Sequence, residues 1–338
     1  MKIHELTIEG FKSIGEITLI EPNPFSVFVG PNAAGKSNIF EALEFMELCN
    51  ATYPIEVLKL FGNITDILNQ TPKTNTPSLL KFQVQIDTIN SNLRLVFANL
   101  NGEIILGSFS GNQPSIFKNE QAERANNDAN YKQFTNFTRL FVNNKSIVKQ
   151  IVQDDFRLAS DASNLEKVLK RIFKNEKDKE EIIEILQLLI PGFSNIDIKT
   201  EELSGSDNLI IYEEALKKPL TKRLISDGTY NILAIIAAIY QSEEPQFLCI
   251  EEPENGLNPK VVSLLVSLFR DKCVEKGHYI WLNTHSQTLV GELTPEEIIL
   301  VNKVNGQTQT KQIQGMDLHG LRMDEALLTN SLGGGIPW

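Results

Sequence analysis

The chain has 338 residues, a length that suits one large α/β domain or two ordinary domains. Hydrophobic residues make up 41% of it and charged residues 22%, so we expect a substantial core and no wholesale disorder. The formal net charge of −11 argues against nucleic-acid binding through overall charge alone and leaves a local basic face open. The longest apolar run, 232–240, is too short to cross a membrane, and the three cysteines form no CxxC pair. We therefore expect a cytoplasmic protein with no membrane segment and no structural zinc site.

The first 110 residues combine strands with one helix. Alternating apolar residues bounded by Gly and Pro predict strands near 3–8, 17–20, 25–29, 81–86, 93–100 and 104–106. Apolar residues three to four positions apart predict a helix from Ser37 to about Cys49. The dipeptide Asn101-Gly102 is typical of a two-residue hairpin turn, so the strands on either side of it should pair.

The middle of the chain differs from the segments on either side. Residues 111–195 are rich in Asn, Lys and Glu, and their pattern becomes strongly helical from Leu165 to Ile190. We interpret them as a mainly helical insertion between an N-terminal half, residues 1–110, and a C-terminal half, residues 196–338.

Strands and helices alternate again in the C-terminal half. The pattern predicts, in order, a helix over 229–240, a strand over 246–250, a helix over 259–276 and a strand over 279–283. This alternation is typical of parallel βαβ units. Asn305-Gly306 then predicts a hairpin between strands at 298–303 and 307–313.

One segment matches the phosphate-binding pattern GxxxxGK[ST] between a predicted strand and a predicted helix. It consists of Gly30, Pro31, Asn32, Ala33, Ala34, Gly35, Lys36 and Ser37. The glycines let backbone N–H groups turn towards phosphate oxygens at the positive end of the following helix. Lys36 would reach the β- and γ-phosphates, and the Ser37 hydroxyl would be a ligand of Mg²⁺. The pattern therefore predicts a nucleotide site.

Two further features are of the kind that a phosphoryl-transfer site needs. The apolar strand 247–250 ends in Glu251 and Glu252, and we assign Glu251 to the metal and Glu252 to the attacking water. Paired acids at a strand end are common, and their position in a P-loop protein gives them weight. His285 follows the next strand, which would bring it near the γ-phosphate. The other three histidines have no such context.

The order of these motifs resembles a known family. Together with Ile225-Ser226-Asp227-Gly228 and Glu254-Asn255-Gly256-Leu257, it is similar to the ABC-type ATPase head, in the RecF/SMC-like, OLD-like branch of AAA-family ATPases. In that branch an FKS element, here Phe11-Lys12-Ser13, precedes GPNxxGKSN, which here ends at Asn38. The resemblance covers about residues 1–110 and 200–338 and leaves the insertion uncovered.

The resemblance implies an α/β P-loop NTPase fold with a mixed sheet and N-terminal antiparallel strands, and the residue pattern adds the α-helical insertion. It implies ATP and Mg²⁺ as cofactors and a homodimer in which each ATP lies between two heads. Ser226, Asp227 and Gly228 of one head would then cap the nucleotide of the other. The signature ISDGT, in place of LSGGQ, suits this branch better than transporter ATPases. No Q-loop glutamine is evident beyond the weak candidate Gln70, and Lys12 and Ser13 either approach the nucleotide or form a surface turn.

The lengths of two segments limit the classes of protein to which the chain can belong. Only 53 residues follow His285, too few for a Toprim nuclease domain, and the 85 residues of the insertion are too few for SMC-type arms. Our leading hypothesis is an ATPase that dimerises around ATP and drives a separate effector, such as a nuclease, in antiphage defence or DNA repair. A slow ATP-dependent switch or scaffold, and an ABC transporter motor, are the alternatives. Contact of this chain with DNA stays open.

Overall fold

The computed structural model describes residues 2–51, 54–62, 64–69, 79–86, 94–100, 103–110, 113–117, 136–142, 156–202, 205–329 and 332. Its strands are β1 (Ile3–Glu9), β2 (Glu16–Ile20), β3 (Phe25–Val29), β4 (Leu79–Ile86), β5 (Arg94–Leu100), β6 (Glu103–Ser110), β7 (Gln113–Phe117), β8 (Phe137–Leu140), β9 (Phe193–Thr200), β10 (Asp207–Glu213), β11 (Leu220–Thr221), β12 (Phe247–Glu251), β13 (Tyr279–Thr284), β14 (Ile298–Val304) and β15 (Gln307–Gln312). Its helices are α1 (Lys36–Ala51), α2 (Pro54–Phe61), α3 (Ile64–Ile67), α4 (Leu165–Ile172), α5 (Glu176–Leu189), α6 (Asp227–Tyr240), α7 (Pro259–Glu275), α8 (Gln287–Gly291) and α9 (Met323–Leu328), with a 3-10 turn at Pro295–Glu297.

A mixed six-stranded sheet forms the centre of the molecule, in the order β15-β14-β3-β13-β12-β8. All neighbours run parallel except β14 and β15, which form the predicted antiparallel hairpin. Every residue of β3, β12 and β13 is buried, as expected for parallel strands that are covered on both faces. The carboxyl ends of these three strands therefore meet at one edge, where ligands bind in open α/β sheets.

The N-terminal strands build a second sheet, which is antiparallel, in the order β2-β1-β4-β5-β6-β7. It packs on α1 through a cluster of aromatic rings. The ring centroids of Phe11, Phe45 and Phe82 lie 5.7 to 6.2 Å from one another. A third sheet has the order β11-β10-β9. The predicted α/β class, with a mixed sheet and N-terminal antiparallel strands, is confirmed. The turn Asn101-Gly102 lies outside the described residues, and the two strands beside it pair as predicted.

The described residues of the expected insertion, residues 111–195, pack against the rest of the chain. The helices predicted over 165–190 are present as α4 and α5, and their apolar faces join the same core as α6 and α7. The segment also supplies β8, which pairs with β12 along its full length as a strand of the central sheet. The division of the chain at 110 and 195 stays a prediction.

Candidate functional site

The loop from Gly30 to Ser37 joins β3 to α1 at the carboxyl edge of the central sheet, and its shape depends on two glycines. A Cβ on Gly30 would lie 2.0 Å from the Val301 carbonyl oxygen of β14. Gly35 has φ +101°, and a Cβ there would lie 2.0 Å from Thr308 Oγ1. Neither position has room for a side chain, and Gly35 also needs the left-handed backbone that glycine adopts without cost.

The loop borders a cavity of about 460 Å³. The cavity is lined by Ser13, Asn32, Ala33, Gly35, Lys36, Ser37, Asn38, Glu252, Asn283, His285 and Lys303. The structure thus brings most of the predicted site residues together around one space. Of the other loop residues, Gly30 and Pro31 contact Lys36, and the Ala34 carbonyl accepts a hydrogen bond from Thr308 Oγ1 at 2.8 Å.

Lys36 lies folded into its own loop. Its Nζ donates to the carbonyl oxygens of Gly30 at 2.7 Å and Pro31 at 2.9 Å. Burial lowers the pKa of the ammonium to about 8, against the opposing influence of nearby carboxylates. A phosphate group would supply the negative charge that carbonyl oxygens lack, so the lysine is suited to an anionic ligand in the cavity.

Ser37 and Glu251 form a pair of hard oxygen donors beside the cavity. The Ser37 hydroxyl donates to Glu251 Oε2 at 2.6 Å, and Asn283 Nδ2 donates to the same oxygen at 3.1 Å. The described residues contain no cluster of three or more His, Cys, Asp or Glu side chains that could enclose a metal by themselves. A hydroxyl and one carboxylate, completed by phosphate oxygens and water, is the usual donor set for Mg²⁺. The residues therefore fit that ion.

Glu252 is turned into the cavity by an unusual backbone conformation. Its φ is +48°, and its N–H donates to both the backbone and the side-chain oxygen of Asn283, at 3.0 and 3.1 Å. The carboxylate accepts from Asn255 Nδ2 at 2.7 Å. Positive φ at a residue other than glycine costs free energy and tends to occur at functional sites. The strain is thus located at the acid that we assign to the attacking water.

His285 is exposed and lines the same cavity. Partial burial is the main cause that lowers the pKa of its imidazole, and the positive charge of Lys36 adds to it. Its backbone N–H donates to Glu254 Oε1 at 3.4 Å. A neutral ring at this place can accept or donate a hydrogen bond to a phosphate oxygen or to water.

The predicted signature residues lie away from this cavity. Ser226 is the N-cap of α6 and accepts from the Thr229 N–H at 3.0 Å, and Asp227 is exposed in the first turn. Gly228 packs so closely on the loop after β12 that a Cβ would lie 2.4 Å from the Gly256 carbonyl oxygen. None of the three lines the cavity of its own chain. Gln70 lies outside the described residues.

Sequence reasoning left the roles of several site residues open or missed them. Ser13 Oγ accepts from Asn38 Nδ2 and is 2.7 Å from Thr308 Oγ1, so the FKS element touches the P-loop. Lys12, in contrast, donates to Glu41 on α1 at 2.6 Å. Asn283 follows the rule that a polar residue ending a parallel strand faces the site, a signal that the sequence already contains.

Two missed contacts have no local signal. Asn231 on α6 donates to the carbonyl oxygens of Pro253 at 3.0 Å and Asn255 at 3.1 Å, which ties the signature helix to the loop after β12. Arg139 on β8 binds Glu251 from the side opposite Ser37. Both contacts depend on how the chain folds and not on any motif.

Residues 25–291 match the AAA_21 family, whose description is "AAA domain, putative AbiEii toxin, Type IV TA system". A curated relative, the energy-coupling factor transporter ATP-binding protein EcfA1 of Methanospirillum hungatei, is 29% identical over 146 residues, which is 37% of this chain and 52% of the relative. EcfA2 of Lactobacillus acidophilus is 31% identical over 32% of this chain and 36% of the relative. The chain thus matches about half the length of these relatives or less.

Two solved structures show the fold. An Smc head bound to the C-terminal winged-helix domain of ScpA superposes with a TM-score of 0.63 at 16% identity, over 96% of this chain and 100% of that one. An Smc head with an extended coiled coil, bound to the C-terminal domain of ScpA from Pyrococcus furiosus, gives 0.60 at 15% identity, over 98% and 99%. The chain therefore has the fold of an SMC-like ABC ATPase head. Among the described residues, no helix has the length and apolar character that crossing a membrane requires.

Proposed function

Because the chain belongs to the AAA_21 family of AAA domains and has the P-loop fold of an ABC-type ATPase head, we propose that it binds ATP with Mg²⁺ in the P-loop cavity and hydrolyses the γ-phosphate. One observation carries this proposal. The loop, Lys36, the Ser37–Glu251 pair and Glu252 converge on a single space, although Glu251 is separated from Ser37 by 214 positions in the chain.

Each side chain has a chemical role in this proposal. The loop N–H groups and Lys36 bind the phosphates, and Ser37 with Glu251 holds Mg²⁺, which screens the charge that develops on the transferred phosphoryl group. Glu252 orients and polarises the attacking water. His285, which lines the same cavity, contacts the γ-phosphate or that water. Asn32, Ala33 and Asn38 complete the wall of the cavity.

Substitution separates nucleotide binding from hydrolysis. Lys36→Ala should abolish binding of ATP, measured by equilibrium fluorescence with a labelled nucleotide. Glu252→Gln should bind ATP as wild type does, and its rate of phosphate release should fall by about 100-fold or more. Glu180→Gln makes the same chemical change at an exposed position on α5 and is the control. Wild-type turnover in Glu252→Gln would remove the proposed role of that acid.

The signature residues act in trans in this proposal. Ser226, Asp227 and Gly228 lie at the N-terminus of a 14-residue helix, and none of them lines the cavity of its own chain. The N-terminus of a helix attracts phosphate. A second head could therefore present them to the bound nucleotide. Ser226→Arg should stop turnover and leave ATP binding by the monomer intact. A variant that still hydrolyses ATP at the wild-type rate would contradict the trans arrangement.

The proposed output of the cycle is movement of a separate effector protein. The family description names a toxin of a toxin–antitoxin system, and the solved Smc heads are bound to ScpA domains, so both comparisons involve a second component. Antiphage defence or DNA repair would use the heads in this way. Isolation of the Glu252→Gln protein from its native host with ATP, followed by mass spectrometry, tests this: a partner retained with ATP and lost with ADP is expected, and none with either nucleotide would count against it.

The transporter alternative has one observation in its favour, the likeness to subunits of energy-coupling factor transporters over about a third of the chain. Fractionation of native cells distinguishes the two functions. We expect the protein in the supernatant after membranes are sedimented, and recovery with the membranes would favour the transporter motor.

A further inference from the structure

The P-loop helix α1 carries three glutamates at intervals of three residues, each bonded to a cation from a different part of the chain. The pairs are Glu41 with Lys12 at 2.6 Å, Glu44 with Arg139 at 2.8 Å and Glu47 with Arg157 at 3.2 Å. The first and third pairs each join α1 to a neighbouring segment. The middle cation also reaches the proposed metal site.

Arg139 bridges two carboxylates. On one side its Nη1 donates to Glu44 Oε2 at 2.8 Å, and on the other its Nε donates to Glu251 Oε1 at 2.6 Å, where Nη2 makes a second close contact. The Arg139 side chain is 12% exposed, and the Glu251 side chain is 1% exposed. A buried carboxylate needs such a partner, because an unpaired charge away from water is costly.

The two oxygens of Glu251 therefore have separate environments. Arg139 occupies Oε1, and Oε2 is directed at Ser37 Oγ and Asn283 Nδ2. Two N–H groups of the planar guanidinium, Nε and Nη2, converge on Oε1 while Nη1 holds Glu44, an arrangement that a single flexible ammonium cannot reproduce with the same geometry. Since β8 lies next to β12 in register, the backbone holds Arg139 opposite Cys249, two residues before Glu251.

We propose that Arg139 is a positioning residue for the Mg²⁺ site. By holding Oε1 of Glu251 and anchoring it to α1 through Glu44, it keeps Oε2 directed at the Ser37 hydroxyl, where the metal of the nucleotide complex would be held. The inference rests on the proposed function. Residues that orient the ligands of a metal typically change its affinity about 10- to 100-fold when they are removed.

The experiment measures metal binding without turnover. A fluorescent, non-hydrolysable ATP analogue is bound to the protein while Mg²⁺ is titrated, and the half-saturating Mg²⁺ concentration is recorded. Arg139→Gln should raise that concentration by about 10-fold or more. Affinity for the nucleotide in EDTA should stay within about twofold of wild type, because Arg139 does not line the cavity. Arg157→Gln removes the equivalent cation from Glu47 on the same helix and should leave the Mg²⁺ dependence unchanged.

A charge-preserving variant keeps the test decisive if Arg139→Gln fails to fold. Arg139→Lys retains a cation between the two carboxylates and loses the planar fork, so it should fold and shift the half-saturating Mg²⁺ concentration upwards by a smaller factor. An unchanged Mg²⁺ dependence in Arg139→Lys, or in Arg139→Gln where it folds, would overturn the inference. A shift in Arg157→Gln equal to that in the Arg139 variants would also overturn it. If wild type showed no Mg²⁺-dependent nucleotide binding at all, the proposed function would fail first.

Discussion

Gly228→Ala tests the close packing of the signature helix on the loop after β12. In an open helix the added methyl group would stabilise the protein by about 1 kcal/mol, because alanine has the higher helix propensity. Here the Cβ would lie 2.4 Å from the Gly256 carbonyl oxygen and 3.2 Å from its carbon, both of them backbone atoms. A carbon–oxygen contact needs roughly 3.2 Å or more, so α6 and the loop must separate by most of an ångström.

Two hydrogen bonds from Asn231 oppose that separation, since they hold the same loop to α6. Overpacking of this kind costs about 1–3 kcal/mol, which exceeds the gain in propensity. We expect a net loss of about 1 kcal/mol in the free energy of unfolding, measured by urea denaturation. ATP turnover by the folded variant should also fall, because the loop carries Asn255, the hydrogen-bond partner of Glu252.

The double variant Gly228→Ala/Asn231→Ala separates this explanation from a general weakening. Asn231→Ala alone should destabilise, and in its background the loop can move away, so the methyl group should cost less than in wild type. A stabilisation of about 1 kcal/mol by Gly228→Ala in wild type, as in an open helix, would refute the reasoning.

Three further predictions concern pH and the P-loop. Burial lowers the pKa of His278 to about 4, so the folded protein favours the neutral ring. The free energy of unfolding should therefore be highest above pH 6.5 and fall as pH falls towards 4. His278→Gln should remove this loss of about 3 kcal/mol. Burial raises the pKa of Glu47 to about 7, so the free energy of unfolding should fall as pH rises from 4.5 through 7. Glu47→Gln should remove this loss, which is also about 3 kcal/mol. Denaturation of each variant from pH 4 to 8 checks both, and parallel curves for variant and wild type would contradict them. Gly35→Ala should abolish nucleotide binding. Gly306 also has a positive φ, +80°, but open space surrounds it. Gly306→Ala should therefore lower the free energy of unfolding by about 1–2 kcal/mol and leave nucleotide binding as in wild type.

Much of the candidate site could be predicted because its signals are local. The P-loop is a contiguous motif, and Glu251, Glu252 and His285 each follow an apolar strand. Parallel strands end at the same edge of a sheet, so such residues are brought together once the strands are assigned. The same argument extends to Asn283, the penultimate residue of β13.

The contacts around β8 could not be predicted in this way. Its four residues are too few for a clear strand pattern, and they lie within a segment that we interpret as a mainly helical insertion. Arg139 reaches Glu251 only because β8 is placed beside β12, and 112 positions separate the two residues in the chain. Sheet order is set by tertiary packing, which one sequence read locally does not contain.

Light scattering on wild type and Glu252→Gln, with and without ATP and Mg²⁺, tests the central claim most directly. We predict that ATP doubles the mass of both proteins and that the doubled mass persists longest in Glu252→Gln, because the nucleotide between the heads is not hydrolysed. ADP should leave both at the lower mass. A mass unaffected by any nucleotide would contradict an ATP-dependent pairing of heads and the trans roles of Ser226 and Gly228.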